Sequence, residues 1–141
     1  ETLLQKAVGD GVNVLLPITD PYVVHHGALG AFATVHLSAT LDAATVGAKM
    51  AEIDGITEVL SHENAVRSLK LPADRIGALV VMSGRDVVIG KTPEHHDLSV
   101  LEGVLRSHGG RFEETVPLIV SAALSPSGRT RKSSYISTIF R

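Results

Sequence analysis

The sequence predicts an α/β fold that contains a smaller α+β layer in the order β-α-β-α-β-β. The 141 residues are 44% hydrophobic and 20% charged, which favours a buried core over disorder. Apolar positions alternate along the chain between the spacing typical of helices and the spacing typical of strands. Clusters of glycine, proline and aspartate separate these segments, as turns do.

The first predicted elements are a helix and a strand. Apolar residues recur at helical spacing over Leu3–Val8, and Gly9-Asp10-Gly11 is typical of a helix end. Val12–Ile18 then predicts a short buried strand that Pro17 interrupts. Because the chain opens inside this αβ rhythm without an initiator methionine, we expect it to be a piece of a longer polypeptide.

The segment between Phe32 and Ile89 predicts the α+β layer. The expected elements are a strand over Phe32–Leu37, a helix over Ala43–Ile53 capped by Asp42, a strand over Thr57–Leu60, a helix over His62–Leu69 capped by Ser61, and a hairpin of Ala78–Ser83 with Val87–Ile89. On this interpretation His36 is a half-buried sheet residue. His62, Glu58 and Glu63 are surface residues.

The predicted elements divide the chain into four expected regions. They are the end of a core α/β domain over 1–30, a small cap-like α+β subdomain over 31–90, a return to the core with a metal-ligand loop over 91–124, and a basic tail over 125–141. The return includes a final strand over Glu114–Val120. The tail carries four basic residues and no acidic one, and we expect it to be flexible.

Composition also excludes several functions. The chain has no cysteine, which rules out disulfides, thiolate zinc sites and cysteine nucleophiles. Five aromatic residues and a net charge of −2 argue against a nucleic-acid binder. No apolar run is long enough for a membrane span, and nothing resembles a signal peptide. We therefore expect a soluble, cytoplasmic protein that binds neither nucleic acid nor membrane.

Histidine is the residue type that suggests chemistry, since the chain has seven. Histidine and aspartate suit zinc where thiolates are absent, and the spacing allows a cluster of His95-His96-Asp97 with His108. Polar loop residues without a ligand are the alternative for that cluster and for His25-His26-Gly27. His108 precedes Gly109-Gly110, which lets a metal or ligand approach the backbone closely.

No complete active site is predicted from the residues alone. Neither a nucleophile elbow nor a phosphate-binding glycine loop is present in the sequence. A stand-alone α+β module that binds a metal or a small anion through His25, His26, His96 or His108 is therefore one hypothesis. A structural remnant without any site is another.

Several segments together resemble the phosphonoacetate hydrolases, zinc enzymes of the alkaline phosphatase superfamily that are similar to nucleotide pyrophosphatases and phosphodiesterases. The segments are Leu16–Gly30, which contains Pro-Ile-Thr-Asp-Pro-Tyr-Val-Val-His-His-Gly, then Leu71–Gly77, His96–Ser99, Leu105–Gly110 and Thr115–Ile119. Their order and spacing agree with the family over Leu3 to Val120.

The resemblance implies that the chain is the C-terminal portion of an alkaline phosphatase-like enzyme with two zinc ions and a threonine nucleophile. Such an enzyme hydrolyses the C–P bond of phosphonoacetate to acetate and phosphate. His108 matches the last zinc ligand of the family, and the other ligands and the nucleophile would precede Glu1. The resemblance assigns no catalytic or substrate-binding residue here, and no role to His25, His26, His95 or His96. We expect the segment to need its N-terminal portion for activity, and a homodimer is compatible with the prediction.

Overall fold

One antiparallel sheet of four strands organises the part of the chain that the computed structural model describes, which is residues 2–17, 29–92, 96 and 108–115. The elements are α1 (Thr2–Val8), β1 (Val12–Leu15), β2 (Phe32–Leu37), α2 (Ala43–Ala51), β3 (Ile56–Ser61), α3 (His62–Leu69) and β4 (Leu79–Ser83), with single 3₁₀ turns at Ala73–Arg75 and Arg111–Glu113. The strands lie in the order β1-β2-β4-β3, and every neighbouring pair is antiparallel.

The small α+β layer that the sequence predicts is confirmed as this antiparallel sheet with its helices. β1 also belongs to the sheet, since Val14 pairs with Val35 of β2. The first predicted region and the second thus share one sheet. The exact boundaries of the four regions stay a prediction.

The two faces of the sheet have separate apolar clusters because side chains alternate along each strand. On one face α1 and α2 cover the larger cluster, whose buried members are Leu4, Val12, Val14, Leu16, Ala33, Val35, Val46, Met50, Leu79, Val81 and Ile89. On the other face α3 contributes Ala65, which packs with Val80 and Met82. β4 is buried along its whole length because it lies between β2 and β3 and under both layers.

Local capping explains where the helices begin and end. The Asp42 carboxylate accepts a hydrogen bond from the Thr45 amide at 2.8 Å, and the Ser61 hydroxyl accepts from the Asn64 amide at 3.4 Å. Both predicted N-caps are confirmed. α3 ends at Lys70, whose φ of 58° places it in the left-handed region that closes helices.

The predicted hairpin after β4 is wrong. After β4 the chain forms a turn, in which the Val87 amide donates to the Gly84 carbonyl at 3.2 Å. Ile89 instead forms an isolated antiparallel bridge with Gly30. The reason is topological, because β2 and β3 already occupy both edges of β4 and leave no edge for a hairpin partner.

Smaller differences concern element ends and His62. The first strand stops at Leu15 rather than Ile18, and the helix begun by Asp42 stops at Ala51 rather than Ile53. His36 is half-buried, as predicted. His62 is half-buried as well, and not a surface residue. Its ring Nδ1 donates to the Gly77 carbonyl at 3.0 Å.

No helix in the described part of the chain is long and apolar enough to cross a membrane. Several predictions fall outside the described residues. They are the loop with His25 and His26, the residues His95 and Asp97, most of the predicted strand over Glu114–Val120, and the basic tail over 125–141.

Candidate functional site

The candidate site lies at one end of the sheet, where β2 and β3 begin and β4 ends. Phe32 pairs with Met82, and Ile56 pairs with Ser83, so these strand ends are neighbours. Residues 108–115, here called the His108 loop, pass over this end of the sheet. The main chain just before β2 holds the beginning of the loop, because the Ala31 amide donates to the His108 carbonyl at 2.8 Å.

A short bridge beside the loop fixes the segment that leads into β2. The Ile89 amide donates to the Gly30 carbonyl at 2.6 Å, and the Gly30 amide donates back at 3.3 Å. A Cβ atom at Gly30 would lie 3.1 Å from the His108 carbonyl oxygen, which is tighter than most such contacts. Glycine at position 30 therefore lets the two backbones approach one another.

Glycine is required on the loop itself at position 109. Gly109 has φ of +79°, a conformation that favours glycine, and a Cβ atom there would lie 3.2 Å from the Cβ of Phe32. The predicted importance of the Gly109-Gly110 pair therefore has a conformational basis at Gly109.

The imidazole of His108 is exposed although the backbone of the residue is held. An accessible ring on a fixed backbone fits a single metal ligand whose partners lie elsewhere. No group of three or more histidine, aspartate or glutamate side chains that could hold a metal ion occurs within residues 2–17, 29–92, 96 and 108–115. Those residues therefore fit one position of a metal site and not a complete set.

His96 is tied to the turn next to the Gly30–Ile89 bridge. Its Nε2 atom accepts a hydrogen bond from the Lys91 amide at 3.0 Å. A Cβ atom at Gly90 would clash with that ring, since Nε2 would be 2.6 Å away. The lone pair of Nε2 is thus directed at a backbone amide, whereas a metal ligand must direct its lone pair at the metal.

Arg111 connects the His108 loop to the edge strand β3. Its Nε and Nη2 atoms donate to the two carboxylate oxygens of Glu58 at 2.9 and 3.1 Å. Its Nη1 atom donates to Glu114 at 2.8 Å. The Arg111 hydrogen bonds hold the pKa of the Glu58 carboxyl below its ordinary value. The two carboxylates, Glu58 first, raise the pKa of the guanidinium.

The prediction that Glu58 is an ordinary surface acid is therefore wrong. Glu58 and Arg111 are 53 residues apart in sequence, and no local pattern links them. A second long-range contact follows directly, because the Arg85 guanidinium lies 5.1 Å from the centre of the Phe112 ring. Both contacts attach the loop to the same end of the sheet.

No family model matches the chain. Two solved structures of phosphonoacetate hydrolase from Sinorhizobium meliloti 1021 are similar to it. The structure in complex with phosphonoacetate is 46% identical over 79% of this chain and 27% of that chain, with a TM-score of 0.68. The structure in complex with phosphonoformate is 47% identical over 78% of this chain and 27% of that chain, with a TM-score of 0.67.

The predicted resemblance to the phosphonoacetate hydrolases is thus confirmed for most of this chain. This chain spans only 27% of the length of those proteins.

Proposed function

We propose that this chain forms part of a zinc-dependent phosphonoacetate hydrolase with an alkaline phosphatase-like fold. The observation that carries the proposal is the 46–47% identity to hydrolases whose structures contain phosphonoacetate or phosphonoformate. The substrate of the whole protein is accordingly a small phosphonate with a carboxylate, and we place the enzyme in the cytoplasm.

The overall reaction is hydrolysis of a carbon–phosphorus bond. Water supplies a hydroxyl to phosphorus and a proton to the departing carbon, so that phosphonoacetate yields phosphate and acetate. Zinc ions, when bound, neutralise negative charge on the phosphonate oxygens and favour ionisation of the nucleophile. The carboxylate next to the departing carbon delocalises the electron pair that the broken bond leaves behind.

His108 is the residue of this chain that we assign to the metal site. Its exposed imidazole supplies one nitrogen ligand. The hydrogen bond from Ala31 and the turn at Gly109 hold the backbone from which that ring projects. Pre-organisation of this kind limits the entropy lost when a ligand binds its metal.

The test compares His108→Ala with the wild type in the full-length protein supplied with zinc. We expect the variant to lose bound zinc and to release phosphate from phosphonoacetate at least about 100-fold more slowly, because an imidazole ligand is missing. His62→Gln is the control, since it also removes an imidazole but lies beside Gly77, at the opposite end of β3.

Unchanged zinc content and unchanged phosphate release in His108→Ala would refute the assignment. Zinc binding by the wild-type protein without phosphate release would instead favour the metal-binding module as its function.

A further inference from the structure

The His108 loop has three attachments to the sheet, and each comes from a different strand end. His108 accepts a hydrogen bond from Ala31 before β2, Arg111 forms the ion pair with Glu58 of β3, and Phe112 lies under Arg85 after β4. A loop held at one point can still rotate about it. Attachment at three strand ends fixes both its position and its orientation.

The Arg111–Glu58 pair is the most directional of the three attachments. Two parallel N–H donors of one guanidinium face two oxygens of one carboxylate, which sets an angle as well as a distance. Arg111 and Glu58 side chains are 36% and 30% exposed, so water screens the pair less than it screens a fully exposed pair.

The pair also joins two parts of the chain that are 53 residues apart in sequence. Arg111 is three residues from His108, whereas Glu58 is near the start of β3, an edge strand of the α+β layer. Only two residues, Gly109 and Gly110, separate Arg111 from His108, so the position of Arg111 limits where His108 can lie. The first of these has a left-handed backbone, with φ of +79°.

We propose that Glu58, acting through Arg111, is a positioning residue that holds His108 in place as a metal ligand. The inference rests on the proposed function, since it requires His108 to bind zinc. It assigns the α+β layer a role in the chemistry: its edge strand sets the orientation of a ligand on a separate loop.

Glu114 provides a matched control within the same cluster. Its carboxylate binds the same guanidinium at 2.8 Å but lies on the loop itself, three residues from Arg111. Glu114→Gln therefore removes one negative charge from Arg111 without releasing the loop from β3. Glu58→Gln removes the same charge and leaves one acceptor oxygen where the guanidinium needs two, so the contact between the loop and β3 is weakened.

The experiment measures zinc affinity of the full-length protein by competition with a chelator. We expect Glu58→Gln and Arg111→Met each to weaken the site that contains His108 by about fivefold, because an outer contact of a ligand is lost. The double variant should bind zinc no more weakly than Arg111→Met alone, since Arg111→Met has already lost the interaction with Glu58. Glu114→Gln should change the affinity by less than about twofold.

Replacement of zinc by cobalt(II) gives a second measurement that does not depend on activity. The visible absorption of the bound cobalt reports ligand geometry, so Glu58→Gln should alter the spectrum and Glu114→Gln should preserve it. If Arg111→Met does not fold, Arg111→Lys replaces it. Lysine keeps the positive charge but lacks the two parallel N–H donors of the guanidinium. We expect Arg111→Lys to shift the cobalt spectrum in the same direction as Glu58→Gln.

Two outcomes separate the inference from the proposed function. If His108→Ala loses zinc but Glu58→Gln binds it like Glu114→Gln, the positioning role is refuted and the proposed function stands. If His108→Ala keeps both its zinc and its rate of phosphate release, the assignment of His108 to the metal site and the positioning role are refuted together.

Discussion

Gly77 lies directly against the backbone of Val35 in strand β2. A Cβ atom at position 77 would overlap the Val35 carbonyl group, far inside the 3.0 Å that real Cβ atoms respect. The Gly77 amide also donates to the Thr34 hydroxyl at 2.6 Å, which fixes the approach. Val35 cannot yield, because β2 is hydrogen-bonded on one side to β1 and on the other to β4. Any side chain at position 77 must therefore separate the 76–78 segment from the sheet.

We expect Gly77→Ala to lower the free energy of unfolding by about 3 kcal/mol, the upper range of overpacking costs. The control is Gly47→Ala in α2, where the added methyl would meet Leu79 at 3.5 Å, an ordinary contact. The free energy of unfolding of that variant should rise by about 0.5–1 kcal/mol, since alanine is more favourable in a helix than glycine is. Denaturant titration of both variants measures the difference.

Equal midpoints for Gly77→Ala and the wild type would mean that the backbone of Val35 does move. A lower free energy of unfolding in Gly47→Ala would show instead that there is no room for a methyl group between α2 and β4.

The next prediction concerns pH and the Glu58–Arg111 pair. The pKa of Glu58 is lowered from its ordinary value of 4.5 by the Arg111 hydrogen bonds. A carboxyl with a lowered pKa in the folded state stabilises the protein above its unfolded pKa and loses that contribution as pH falls through the folded value. The wild type should therefore be more stable than Glu58→Gln at pH 7, and the difference should shrink below about pH 4.5.

Thermal unfolding of the metal-free protein between pH 7 and pH 3 checks this, since removal of zinc keeps metal loss out of the comparison. Asp42, whose pKa the Thr45 hydrogen bonds also lower, keeps its own pH dependence in both proteins. A difference between wild type and Glu58→Gln that is constant over the whole range would contradict the prediction.

Sequence alone was sufficient where the determinants are local. Asp42 and Ser61 each satisfy an amide three residues further along, so composition near the helix start identifies both caps. β1 is a strand as predicted, but it is not buried throughout, because Asn13 and Leu15 are exposed between buried residues.

Sequence reasoning failed where the determinant is the order of strands. Val87–Ile89 is apolar enough for a strand, but whether it can pair with β4 depends on β2 and β3, which lie far earlier in the chain. The Arg111–Glu58 contact has the same origin, because the sheet brings β3 under a loop 53 residues later. Charge patterns within a helix or turn contain no information about such a pair.

Lys70 offers a last prediction, since among the described residues it is the one non-glycine residue with positive φ. Its φ of 58° and ψ of 30° lie in the left-handed region, where a Cβ atom crowds the following carbonyl. Its amide donates to the Val66 carbonyl at 3.1 Å and closes α3, so the conformation is required. Glycine adopts this region without that steric cost.

We therefore expect Lys70→Gly to raise the free energy of unfolding by about 0.5–1 kcal/mol, after the greater flexibility of glycine in the unfolded chain is subtracted. Lys70→Ala is the matched control, because it removes the same exposed side chain but keeps a Cβ atom and its strain. Denaturant titration compares the two variants. The midpoint of Lys70→Gly should be higher than that of Lys70→Ala. The reverse order would show that the left-handed conformation costs lysine nothing.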